Sequence, residues 1–89
     1  MNLTEFSEII GGHLELNRYA GQNGRWTAKF YNSETKESGR SVLESTYGEG
    51  KSPEAAMVDY VRKIRGRQLI FMASSAEFRR TYFVPSDLV

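Results

Sequence analysis

Tyr47-Gly48-Glu49-Gly50-Lys51-Ser52-Pro53-Glu54, running on through an amphipathic segment to Ile64 and Gly66, is the stretch that decides how this chain folds. It reads as a glycine-rich turn, a capped helix over about 53–65 and a clean stop. Ser52 is a preferred N-cap, Pro53 fits the first helical position because its missing N–H would be unsatisfied there, and Glu54 meets the positive end of the macrodipole. Met57, Tyr60, Val61 and Ile64 fall on one stripe, while Asp59, Arg62 and Lys63 project away from it. That stripe needs a sheet to cover. Gly66 suits a left-handed helix end, with Arg62, Lys63 and Arg65 near the negative pole.

Upstream, Asn2-Leu3-Thr4-Glu5 carries the residues of a capping box, with Thr4 a competing cap, and Leu3, Phe6, Ile9 and Ile10 share a face before Gly11-Gly12 ends a short N-terminal helix. His13 to Tyr19 alternates as a weak strand, and 20–24 supplies hairpin turn chemistry. Arg25 to Tyr31 is the clearest strand, with Trp26, Ala28 and Phe30 facing the main helix and Thr27, Lys29 and Tyr31 facing away. Asn32 to Gly39 contains no apolar residue and is expected to be an exposed connection. Arg40 to Tyr47 returns as a strand of ambiguous alternation, with Val42, Glu44 and Thr46 on one face and Leu43, Ser45 and Tyr47 on the other; Leu43 and Tyr47 are favoured inward.

Downstream, Gln68 to Ala73 is a continuous apolar strand suited to burial on both faces or to a partner covering one of them. Ser74 to Glu77 is a turn, Arg79 to Val84 a last strand, and Ser86 to Val89 a trailing end after Pro85. The sum is one α+β domain spanning 1–89: an antiparallel sheet of three to five strands packed against the main helix and the short N-terminal one.

Composition bounds the function. With no cysteine there is no disulfide, thiolate metal site or cysteine nucleophile. The longest apolar run, Leu69 to Ala73, is far too short to span a bilayer, and the N-terminus lacks the basic residues of a signal peptide, so a cytoplasmic protein without a membrane partner is expected. Net charge is +1, with five Lys/Arg against seven Asp/Glu in residues 1–50 and seven against four in 51–89.

Catalytic groups are sparse. His13 is the only histidine; in a strand it would share a face with Glu15, a pair capable of acid/base work, but a solvated strand end explains both residues more simply. Gly48-Glu49-Gly50-Lys51-Ser52 lacks the spacing of a phosphate loop, and Glu49 would repel phosphate. No enzymatic activity, cofactor or metal is therefore expected. The candidate site is a basic cluster, Arg62, Lys63, Arg65, Arg67, Arg79 and Arg80, with Tyr82 available to stack on a base. Against it stands a solvated helix face whose cations complement the dipole. Arg79 and Arg80 adjoin, so only one of them can join a shared patch.

The order helix, three strands, helix, with Trp26-Thr27-Ala28-Lys29-Phe30 in a middle strand and Gly48-Glu49-Gly50-Lys51-Ser52 before the second helix, resembles the double-stranded-RNA-binding domain over roughly residues 3–65. In that family a lysine-rich helix start grips phosphates; here Pro53, Glu54, Ala55 and Ala56 stand in its place and only Lys51 remains. The glycine-rich approach to the helix also looks like the HicB-type antitoxin half-fold. Taken whole, the chain resembles small uncharacterised proteins encoded by bacteriophages and prophages. That resemblance implies binding to a host or phage macromolecule, including inhibition of a host defence protein. The leading expectation is a non-catalytic protein-binding module, because Tyr19, Tyr31, Tyr47, Phe71, Phe78 and Tyr82 cannot all fit inside so small a core and some must face a partner or a second copy in a homodimer. The alternative is nucleic-acid binding by the basic cluster.

Overall fold

The structure, a computed structural model, describes residues 1–19, 24–37 and 39–89. Its elements in order are α1 (Leu3–Ile10), β1 (Leu14–Tyr19), β2 (Arg25–Phe30), β3 (Ser33–Lys36), β4 (Gly48–Gly50), α2 (Pro53–Ile64), β5 (Gln68–Phe71) and β6 (Arg80–Phe83). The α+β class holds, but the strands form two three-stranded antiparallel sheets where the sequence led to one. Sheet A has the order β1-β2-β4 and sheet B the order β3-β5-β6. Only Tyr31 and Asn32 separate β2 from β3, so one nearly continuous path of chain runs through both sheets.

Both helices start as their caps dictate. The Asn2 carboxamide oxygen accepts from the Glu5 N–H at 2.9 Å while the Glu5 carboxylate accepts from the Asn2 N–H at 3.2 Å. Ser52 Oγ accepts from the Ala55 N–H at 3.1 Å. The expected stripe of α2 faces the core, with Tyr60 and Ile64 fully buried and Met57 half-buried, and Ala56 joins it. Phe30 sits at the centre, edge-on to Phe6, Tyr60 and Phe71. Burying side chains such as Phe30, Ile64 and Leu69 contributes roughly 1.5–3 kcal/mol each.

Three expectations are corrected. Residues 33–36, read as part of an exposed connection, form β3, in which Ser33 and Thr35 are buried. Their hydroxyls are satisfied: Ser33 Oγ donates to the Phe30 carbonyl at 2.7 Å, and Thr35 Oγ1 bonds Thr46 Oγ1 at 2.5 Å. Burial here is polar but fully bonded, which composition alone does not reveal. The strand expected over 40–47 is reduced to a single bridge, Thr35 with Glu44, and regular pairing begins only at Gly48. Leu43 is half-buried and Tyr47 is exposed rather than inward. Finally, the chain after Pro85 does not trail away: Leu88 is fully buried, and the Val89 carbonyl accepts from the Leu3 N–H at 3.1 Å.

The glycines before α2 have a cause other than turning. A Cβ added at Gly48 would sit 2.2 Å from the Ala56 carbonyl oxygen and 2.4 Å from the Tyr60 nitrogen. Gly48 lets α2 lie directly against β4. The hairpin turn read over 20–24 falls mostly on residues outside those described, although the strands it joins pair without a break from Leu14↔Phe30 to Tyr19↔Arg25.

Candidate functional site: the open face of sheet A

Alternation along β1 and β2 sorts sheet A into two faces. Leu14, Leu16 and Arg18 lie opposite Phe30, Ala28 and Trp26 on the helix side; Glu15, Asn17 and Tyr19 lie opposite Lys29, Thr27 and Arg25 on the other. Glu49 extends this second face across β4, opposite Thr27, and Tyr47 stands just before the strand. Together Glu15, Asn17, Tyr19, Thr27, Lys29, Tyr47 and Glu49 line a shallow hollow of about 380 Å³.

The hollow is bordered by aromatic rings, with Tyr19 56% and Tyr47 47% exposed. Tyr47 is braced from behind: Lys63 Nζ donates to its carbonyl at 3.1 Å and lies 5.7 Å from its ring centroid. Lys29 Nζ donates to Ser45 Oγ at 2.7 Å. The floor therefore mixes an ammonium, two carboxylates, an amide and a hydroxyl between two tyrosines, a composition that offers hydrogen bonds of both senses.

Asp59 anchors the wall beside it. Its Oδ2 accepts from the Glu49 N–H at 2.9 Å and meets Lys63 Nζ at 2.8 Å, and its Oδ1 pairs with Arg62. Burial pushes this carboxyl up, but the hydrogen bonds from Lys63, the Glu49 amide and Arg62 outweigh it and hold the pKa at about 2. The carboxylate thus occupies the outer edge of β4, where a further strand would otherwise pair.

The basic cluster is divided. Arg62 and Lys63 share the single carboxylate of Asp59, and Arg67 reaches Glu37 at 3.2 Å and Glu44 at 3.4 Å. Arg65 is exposed at the end of α2. Arg79 and Arg80 stand at the other end of sheet B, because Phe83, and not Arg80, lies opposite Gln68 just after the helix. Arg80 covers Phe71 and Tyr82 at 5.6 and 5.9 Å from their centroids, which occupies the ring proposed for base stacking. His13 lines a separate hollow of about 140 Å³ with Tyr31, Met72 and Arg80, whereas Glu15 lines the larger one. Among the described residues no three His, Cys, Asp or Glu side chains gather closely enough to hold a metal ion.

Sequence periodicity already placed Thr27 and Lys29 on the outward face. Glu15, Asn17 and Tyr19 are reachable by the same alternation, but two glycines mask Glu49 and β4 as a turn, and an alternation counted over 40–47 sets Tyr47 inward. Among the described residues no helix is long and apolar enough to cross a membrane. No known protein family, curated protein or solved structure matches this chain.

Proposed function

We propose that this chain is a non-catalytic protein-binding module and that it binds through the helix-free face of sheet A. The observation that carries the reading is the hollow itself: Tyr19 and Tyr47 stand exposed on either side of a polar floor of both charge signs. Tyrosine supplies large contact area at small entropy cost, and a mixed polar surround is the composition of protein interfaces. Bracing of Tyr47 by Lys63 reduces the ordering cost on binding. Inhibition of a host defence protein, as the phage-protein resemblance implies, would be occlusion of that protein by this face.

Nucleic-acid binding is less well supported. Arg62, Lys63 and Arg67 are already paired with carboxylates, and Glu15 and Glu49 would repel phosphate from the open face. The test uses the chain as bait in host extract beside a Tyr19→Ala/Tyr47→Ala variant. A protein retained by the first and lost by the second is the expected result. Equal retention by both, or recovery only of nucleic acid released by added salt, would overturn the reading.

A further inference from the structure

The geometry points to the outer edge of β1 as a strand-docking site: this module takes up an extended segment of another protein as a fourth strand of sheet A. The inference rests on the protein-binding reading and names the kind of partner.

The Tyr31 N–H donates to the His13 carbonyl at 2.8 Å, so His13 and Tyr31 form a hydrogen-bonded pair one step before the β1–β2 ladder. Bonded pairs alternate along an antiparallel ladder, which turns Glu15, Asn17 and Tyr19 toward β2 and leaves Leu14, Leu16 and Arg18 with N–H and C=O directed outward. Among the described residues nothing pairs with that edge. The edge has no proline and no bulge across six consecutive pairs, and its last five residues are exposed. The opposite edge of the same sheet is blocked by α2 and by Asp59. Among the described residues, β1 is the margin of sheet A left open to addition.

Charge decides the occupant. Among the described residues Glu15 and Arg18 are both exposed and neither forms a close ion pair, although Glu15 lies directly opposite Lys29, and the two lie on opposite faces of the sheet. Side chains directly opposite in an antiparallel pair share a face. No antiparallel register of β1 on a second β1 can therefore set Glu15 against Arg18, and pairing through the outward groups of Leu14, Leu16 and Arg18 would place Arg18 opposite a leucine or a second Arg18, never a carboxylate. A foreign strand answers both, with a basic residue opposite Glu15, an acidic residue opposite Arg18 and an apolar one against Leu16.

Random-peptide display against the full chain, Leu16→Pro and Arg18→Glu tests this. Leu16→Pro deletes an outward N–H and leaves the bonds to β2 in place. The expected outcome is enrichment of alternating peptides whose binding falls about tenfold on Leu16→Pro, together with exchange of the preferred acidic residue for a basic one on Arg18→Glu. Bound peptide should also slow amide exchange at Leu16 and Arg18. This last readout and the Arg18→Glu selection decide the matter if the proline variant does not fold. Peptides held equally by Leu16→Pro, or self-association of the chain through this edge, would overturn the inference. If peptides survive Leu16→Pro but are lost on Tyr19→Ala/Tyr47→Ala, the open-face reading stands and the edge alone falls; if no peptide or partner is captured, both fall.

Discussion

The two margins of sheet A are built on opposite principles. At β4 the chain gives up side chains so that a helix can press on the backbone: Gly48 lies within a Cβ's reach of Ala56 and Tyr60, and a carboxylate caps the Glu49 amide. At β1 five of six residues are exposed and half the backbone groups point into solvent. The contrast separates where the fold is held from where it is available for recognition. Changes along β4 should cost stability, and changes along β1 should cost binding.

Gly48→Val would test this most severely. With a Cβ 2.2 Å from backbone oxygen, the helix must lift from the sheet, and a loss of about 3 kcal/mol or outright failure to fold is expected in urea denaturation. Next comes Tyr60→Phe. The buried Tyr60 hydroxyl accepts from the Phe30 N–H at 3.1 Å, and burial raises its pKa, so removing it strands a core amide at a cost of about 2 kcal/mol in the same assay.

Asp59→Asn should cost about 1–2 kcal/mol, because it weakens the acceptor for Glu49 and removes the charge facing Lys63. Its sign with pH is fixed: the folded pKa of about 2 lies below the usual 3.8, so the stabilisation is present above about pH 4 and lost as pH falls toward 2. Acid titration of the wild type should show that loss, and the Asn variant should show less of it. At the small end, Tyr19→Ala should change stability by no more than about 0.5 kcal/mol while reducing partner binding, measured by calorimetric titration. A large stability loss there would erase the distinction between the two margins.

How far this could be read in advance depends on what each residue spends its chemistry on. α2 was legible because cap, proline, acidic first turn and apolar stripe all agree, and β2 because its alternation is clean. β3 was not, since Ser33 and Thr35 are polar by composition and become core residues only through partners at Phe30 and Thr46. β4 was misread because a glycine selected for close approach looks like a glycine selected for turning. For the candidate site, alternation showed which side of β2 faces away, but Tyr47 was assigned inward for want of knowing where β4 begins. The basic cluster looked contiguous only along the chain: the β5–β6 register carries Arg79 and Arg80 to the far end of sheet B.

The corner between the two sheets carries one more implication. Asn32 and Met72 both adopt left-handed backbone, at φ 51° and 54°, and the Met72 N–H donates to the Asn32 carbonyl at 3.1 Å, so the end of β5 is tied to the bend by which the chain passes from β2 into β3. Asparagine tolerates that conformation; methionine bears a strain of about 1 kcal/mol there. Met72→Gly should relieve it and slacken the angle, but it also removes a side chain packed on the core and loosens the unfolded chain, so no gain in resistance to unfolding is expected.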